Sequence, residues 1–478
     1  MIDERNCLGE LPKGWIWVKV RDVVSNISLT GRKLKQKQYV VSGKLPVVDQ
    51  GQKIIGGYTD REELKVNVEP PVIVFGDHTK IVKYLDFDFV AGADGIKVLK
   101  PLEAFYPRLF YYFLQVIQLP EKGYARHFQF LEKSFIPLPP FNEQERIVAR
   151  LEELFTRLDA GVEGLRKVKA QLKRYRQAVL KYAFEGKLTE EWRKTHKNQI
   201  EPAQKLLEHI KQERRKDPKH KELPPINIAD LSELPENWTW TRLGEIGIVA
   251  SGGTPSTKIH EYFDGDVPWI TPADLSDFTG KFIHRGRRNI SEKGLNSSSA
   301  VLLPEGTILF SSRAPIGYVV IAANPVSTNQ GFKNLILYEG IFNEYVFYYL
   351  KASKILAESY GSGTTFGEVS AARFSLIPIP LAPLNEQHRI VEEIEQCLSL
   401  VYETQKTIAQ AIRQSDRLRQ SILKRAFEGR LVSQDPNDEP AEKLLERIKE
   451  ERAKSKGEKD INKKETKPKQ LELSNYVK

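Results

Sequence analysis

The sequence predicts an α+β fold in which two globular mixed α/β domains are separated by two long helices that pack as an antiparallel coiled coil, with the whole forming a pseudo-twofold internal repeat. Three observations carry this prediction. A helix-opening phrase occurs twice, as FIPLPPFNEQERIVARLEELF from Phe135 and LIPIPLAPLNEQHRIVEEIEQCL from Leu376. Each copy runs into an apolar series at alternating spacings of three and four, the mark of a helix with one sticky edge. Each is preceded by short apolar runs broken at Gly and Pro, the pattern of strands and turns.

The repeat has a fixed period. The two NEQ motifs open at Asn142 and Asn385, and RQAVLKYAFEGKL and RQSILKRAFEGRL open at Arg176 and Arg419, each pair 243 residues apart. A third block, EPAQKLLEHIKQER from Glu201 and EPAEKLLERIKEER from Glu439, is 238 apart, so the second connection is five residues shorter. The domain openings repeat as well, as ELPKGWIWVKVRDV from Glu10 and ELPENWTWTRLGEI from Glu233. We therefore expect a first domain over residues 1–134. A long helix with a spacer and a short amphipathic helix fills 135–230, and a second domain fills 231–375. A second long helix with its short helix covers 376–452, and a disordered tail covers 453–478.

Within the domains the scaffold repeats and the polar chemistry does not. PPVIVFGDHTKI matches EGTILFSSRAPI in its apolar residues, and Gly95 of GADGIKVL corresponds to Gly331 of NQGFKNLI. GDH stands against SSR, however, and YARHFQF stands near GSGTTFGEV. A shared frame with altered surface chemistry suits two recognition modules with different targets.

Each long helix is read as about 36 residues, on the order of 54 Å at ~1.5 Å per residue. The predicted seam contains Ile147, Leu151, Leu154, Leu158, Leu165 and Leu172 in the first helix. In the second it contains Ile390, Ile394, Val401, Ile408, Leu418 and Ile422. Asn142 and Asn385 are expected to cap the helix starts through their side chains. The short helices carry stripes of Leu206, Leu207 and Ile210, and of Leu444, Leu445 and Ile448. Spacing leaves open whether these stripes fold back on the chain or dock a partner.

Composition narrows the function. The 478 residues carry a formal net charge of +10, which favours a polyanionic partner. No apolar run reaches membrane-span length and no signal-like segment opens the chain, so the cytoplasm is expected. The two cysteines, Cys7 and Cys397, are too few for a disulfide framework or a cysteine-rich metal site. No phosphate-binding glycine loop, adenosyl-cofactor fingerprint, nucleophile elbow or metal-binding helix motif is present. The LPPF segment at Leu138 has no hydrogen-bond acceptor in its first side chain, so an amino-methyltransferase loop does not fit. Catalysis and metal binding are therefore not expected in this chain.

The order domain, helix, domain, helix, with PLPPFNEQERIV and PIPLAPLNEQHRIV at the helix starts and AFEGKL and AFEGRL at their ends, resembles the specificity (S) subunits of Type I restriction–modification systems. The resemblance covers nearly the whole chain except the tail. It implies a non-catalytic DNA reader in which each domain is a target recognition domain for one half of a bipartite, asymmetric sequence. The coiled coil would set the spacer and dock two modification (methyltransferase) subunits. S-adenosylmethionine, ATP and Mg are implied on partner subunits only, the nuclease and translocase activities belonging to restriction subunits. A coiled-coil scaffold with protein- or carbohydrate-binding domains is the competing reading.

DNA sequence is read by base-edge contacts, while Lys and Arg on phosphates position the protein. Candidate DNA-binding residues in polar, glycine-containing loops are Lys33, Lys35, His78, Lys80, Arg126 and His127 in the first domain. In the second they are Thr254, Lys258, Ser312, Arg313, Gln330, Thr364 and Thr365. The acid-free run RKVKAQLKRYRQAVLK from Arg166 reads as a solvated helix face, with attraction to DNA as a secondary expectation.

Overall fold

The computed structural model describes residues 10–92, 95–120, 126–215, 222–229, 231–313, 315–362 and 367–450. The expected tail at 453–478, Cys7, Thr364 and Thr365 lie outside the described residues. The chain divides into two compact units, one of residues 1–165 with 410–478 and the other of residues 166–409. Both dividing points fall inside the long helices, Phe141–Phe184 and Leu384–Phe427.

The heads are built alike. In the first unit, strand Ile16–Lys19 from the ELP opening pairs antiparallel with Phe135–Leu138, so the head's first strand is tied to the residues that launch the long helix. In the second unit Thr239–Arg242 pairs in the same way with Pro378–Leu381, with Trp240 opposite Pro380 as Trp17 is opposite Pro137. The first head then forms an antiparallel sheet in the order Val24–Ile27, Ile96–Pro101, Val72–Gly76, Val82–Leu85. The second uses Gly247–Ser251, Phe332–Leu337, Ile308–Ser311 and Val319–Ala322 in the equivalent order and adds Phe282–Ile283 at the edge, parallel to its neighbour. Among the described residues each head has one further small sheet, four-stranded in the first and three-stranded in the second.

Each long helix has 44 residues, more than the heptad pattern alone suggested. The extension arises at the start. Asn142 and Asn385 are not caps but exposed second residues of their helices, and the next two residues are buried. Trp15 Nε1 donates to Glu143 Oε2 at 2.9 Å, and Trp238 Nε1 donates to Glu386 Oε2 at 2.8 Å. Gln144 Oε1 accepts from Tyr106 N at 2.7 Å, and Gln387 Oε1 accepts from Phe342 N at 2.9 Å. The repeated NEQ and the repeated ELP..W therefore form one structural device, in which the tryptophan gives each buried glutamate a hydrogen bond.

The two helix segments in each unit run antiparallel. In the first unit Arg419 lies over the Phe155 ring, 4.2 Å from its centroid, and pairs with Asp159, while Arg146 pairs with Asp438 beyond the end of the second helix. In the second unit Tyr175 Oη donates to Cys397 Sγ at 3.7 Å, and Arg193, beyond the end of the first helix, pairs with Glu386. Each head also packs on the terminus of the helix that belongs to the other repeat. Phe113 stacks on Phe427 at 4.2 Å in one unit, and Phe184 meets Tyr345 and Tyr349 edge-on at 5.2 Å in the other.

Of the predicted seam, Ile147, Leu151, Ile390, Ile394, Val401, Ile408 and Ile422 are buried, and Leu154, Leu158, Leu165 and Leu172 are half-buried. Leu418 is 48% exposed, a correction to its assignment. The cause is the drift of ~20° per heptad between a strict 3.5 spacing and a 3.6-residue turn. Towards the helix ends the buried sets become Val179, Leu180, Ala183 and Phe184, and Ile422, Leu423, Ala426 and Phe427.

The short helices dock on the heads. Ala203, Leu207 and Ile210 of Ala203–Arg215 enter the core of the second unit, and Ala203 N donates to Asn237 O at 2.9 Å. Ala441 and Ile448, from the helical residues 441–450, enter the core of the first unit, with Ala441 N donating to Gly14 O at 3.0 Å. Leu206 leaves no room for a Cβ at Gly340, whose φ of +85° also favours glycine.

Candidate nucleic-acid interface

In each head a loop after the central strand is held by the same backbone staple. Asp77 N donates to Gly95 O at 2.6 Å and Asp77 O accepts from His127 N at 2.8 Å. In the second head Ser312 N donates to Gly331 O at 2.7 Å and Ser312 O accepts from Val369 N at 3.0 Å. The glycine pairing read from sequence thus marks one backbone feature in both heads. Gly95 has φ +91°, and a Cβ there would lie 2.8 Å from Gln50 Oε1 and from the His78 ring.

Around this common frame the side chains differ. In the first head Asp77 Oδ1 accepts from Phe128 N at 2.8 Å, and His127 Nδ1 donates to Asp77 O at 3.1 Å. In the second, Ser312 Oγ donates to Gly331 O at 3.1 Å, and buried Lys333 reaches both Ser312 Oγ and Glu368 at 3.4 Å. His127 and Ser312 are 1% and 0% exposed, so they hold their loops together and present no group to a base edge. That corrects their place among the candidate readers.

The remaining candidates fall into several groups. His78 and Lys80 sit on the stapled loop of the first head with Gln50, whose Oε1 accepts from His78 N at 3.4 Å. Lys80 adopts φ +58°, a backbone state that non-glycine residues rarely occupy. Arg126 is exposed at the other side of the same staple. Lys33 lines a groove of ≈ 540 Å³ with Asn26, Ser28, Thr30 and Lys97, and Lys97 Nζ lies 5.2 Å from the Phe128 ring centroid. Lys35 is exposed nearby in sequence, at the start of a short turn. In the second head Thr254 donates to Gln330, joining two candidates distant in sequence. Arg313 is half-buried beside the staple, with a backbone bridge to Glu368, and Lys258 is exposed on a separate segment.

Two features were missed from sequence. Lys83 is 4% exposed, and its ammonium donates to the carbonyls of Asp49 at 2.7 Å and Lys53 at 2.5 Å. Burial lowers its pKa while Asp49 opposes the shift, and the bonds fix the exposed loop that carries Gln52 and Lys53. The available signal was a lysine with the same strand parity as buried Leu85. The second feature is HRGRR at His284–Arg288, an acid-free basic loop in the second head. Arg287 N donates to Asp274 Oδ1 at 3.0 Å and Arg288 lies 4.4 Å from the Phe263 centroid, so the loop is anchored while Arg285 remains exposed. Among the described residues no group of three His, Cys, Asp or Glu side chains is arranged to hold a metal, and no helix is long and apolar enough to cross a membrane.

Comparison with known proteins bears on these paired, differently dressed heads. The sequence profile of the family described as Type I restriction modification DNA specificity domain matches residues 12–168 and 235–414. The specificity subunit of the type I restriction enzyme EcoDI of Escherichia coli is 30% identical over 344 residues, covering 69% of this chain and 71% of that one. The MjaIX specificity subunit of Methanocaldococcus jannaschii is 46% identical over 165 residues, which is 34% of this chain and 38% of the relative. The EcoKI specificity subunit of Escherichia coli strain K12 is 26% identical over 503 aligned positions, with coverage of 95% and 99%. In fold, the chain is similar to one from a structure of complex assembly and conformational transition in the type I R-M system, with a TM-score of 0.63, 20% identity and coverage of 88% and 100%. It is also similar to the HsdS subunit of Thermoanaerobacter tengcongensis, with a TM-score of 0.53, 20% identity and coverage of 88% and 98%. The two matched blocks take in most of both heads and the starts of both long helices, and with these relatives they place the chain in the Type I restriction–modification DNA specificity family.

Proposed function

We propose that this chain is the DNA-reading, non-catalytic subunit of a Type I restriction–modification assembly, with each head reading one half of a bipartite, asymmetric target. The paired helices set the gap between the halves and dock two modification subunits. Those subunits carry S-adenosylmethionine and methylate adenine, and restriction subunits supply the steps that need ATP and Mg. The assembly works in the cytoplasm.

The observation that carries this reading is the retention of one backbone staple in both heads while the residues around it change. Next to the buried staple residues Asp77 and Ser312, His78 becomes Arg313 and Lys80 becomes Pro315 at matched places in the repeat. A frame kept constant under altered donors and acceptors is what base discrimination needs, because the four base pairs differ in their donor and acceptor patterns. The test is selection from a random duplex pool by the full chain assembled with its modification subunits. A two-part motif with a fixed gap is expected. Replacing Arg285, Arg287 and Arg288 with Gln should weaken binding and relax only one half. Absence of any enriched motif would favour a scaffold role instead.

A further inference from the structure

The first long helix contributes Arg166, Lys169, Lys173 and Arg176 to the second unit at spacings of three, four and three, which puts them along one helix flank. All four are exposed, and among the described residues none has an ion-pair partner. Their environment is unusual for surface cations. From Arg166 to Lys181 the helix has no acidic residue, so no carboxylate sits three or four residues from Lys169, Lys173 or Arg176, and Arg166 has only Glu163 at that spacing.

The other repeat shows what has been removed. Arg419, 243 residues after Arg176, is paired with Asp159, but 243 residues after Asp159 stands Tyr402, which is 66% exposed. The acid that neutralises one arginine is therefore absent beside the other. A fifth cation adds to the excess. Lys351, from the helix Asn343–Ala352, holds its ammonium 4.5 Å from the Phe347 ring centroid. Burial lowers the Lys351 pKa, and the charge of Arg176 lowers it further. Two like charges held together, one of them partly desolvated, are disfavoured until an anion joins them.

We infer that Arg166, Lys169, Lys173 and Arg176, with Lys351 near the Arg176 end, form a phosphate-binding flank for double-stranded DNA, acting independently of sequence and alongside the head that reads bases. The inference rests on the DNA-reading function proposed above and adds a second, purely electrostatic contact to it. The four helix residues extend over about 15 Å at ~1.5 Å per residue, enough to follow several successive phosphates. The positioning contacts of DNA-binding proteins are generally of this kind.

The experiment measures the slope of log Kd against log[KCl] for the full chain with its modification subunits. It uses two probes, a mixed-sequence 60-bp duplex and a duplex selected from a random pool by the unaltered assembly. Arg166→Gln, Lys169→Gln, Lys173→Gln and Arg176→Gln are combined in one variant. The slope should fall by about three to four on both duplexes, at ~0.9 per phosphate contact released. A control variant replaces Lys194, Lys197 and Lys205, which are already paired with Glu191, Glu236 and Glu201, and its slope should stay within about one of the unaltered value. If the fourfold variant fails to fold, Arg176→Gln with Lys351→Gln carries the test, with an expected fall of about two. An unchanged slope overturns the inference. So does an unchanged slope with lost assembly, which would assign the flank to an acidic face of a protein partner. If the unaltered assembly binds both duplexes equally, the sequence-reading function fails, while the slope comparison still decides this surface.

Discussion

The same buried glutamate is treated differently in the two units. Glu386 is 0% exposed and accepts three hydrogen bonds, from Trp238 Nε1 at 2.8 Å, Thr189 Oγ1 at 2.8 Å and Arg193 Nε at 2.9 Å. Glu143 is 1% exposed and, among the described residues, keeps only the tryptophan, at 2.9 Å, while its Oε1 has no partner. The cause lies in the shorter second connection. Val432 stands where Thr189 stands, and no arginine occurs between Val432 and Glu439. Burial pushes the Glu143 carboxyl above its ordinary pKa, with Trp15 and Arg146 pulling the other way. Repetition of a fold therefore preserves the position of a group without preserving what neutralises it.

The largest effect expected from this difference is on stability. Glu386→Gln removes the charge that faces Arg193, which is itself largely buried, and should cost the second unit about 3 kcal/mol or more. Burial already disfavours the Glu143 charge, so the neutral Glu143→Gln should change the first unit by about 1 kcal/mol or less. Hydrogen exchange at amides near Trp238 and Trp15 would follow the two units separately, and equal losses would break the comparison. The pH dependence gives the sign. A carboxyl with a raised folded-state pKa binds its proton more tightly when folded, so it favours the folded state at low pH. That contribution is lost as pH rises from the ordinary carboxylate value through the raised one. Glu143→Gln should remove this loss.

A smaller effect is expected at the next matched site. Arg108 Nε donates to Glu152 Oε1 at 2.8 Å in the first unit. In the second, the positions 236 and 243 residues further on are Glu344 and Glu395, and Lys281 from a different part of the head sits between them. Burial opposes the Lys281 charge, but its bonds to both carboxylates raise its pKa overall. Lys281→Ala leaves two acids facing each other and should cost about 2 kcal/mol. Arg108→Ala leaves one acid that is 45% exposed and should cost about 1 kcal/mol or less, readable as the difference between two denaturation midpoints. The reverse order would show that the bridging lysine is not what holds the second arrangement.

Much of this architecture was legible in the sequence because duplication makes it visible twice. The period of 243 residues aligned the NEQ starts and the helix ends, while the tryptophan openings matched at an offset of 223 and the staple glycines at 236, and the structure puts each pair at matching places. What escaped detection depends on long-range partners. NEQ resembles a capping signal locally, and only the distant Trp15 and Trp238 reveal that the glutamate goes inward. Leu418 fits a strict heptad but has drifted off the contact face by that point of the helix. His127 and Ser312 lie among polar loop residues, yet their bonds turn into the head. Lys83 is held in the interior by the carbonyls of Asp49 and Lys53, partners far from it in sequence.

The central claim is that two separate heads read two separate halves of one target, and exchanging a head tests it most directly. The first head of this chain would be replaced by that of a relative with a different target, and the methylated-adenine pattern compared in cells carrying the same modification subunits. The account predicts that one half of the methylated sequence changes while the other half and the gap are retained. A change in both halves, or in neither, would contradict it.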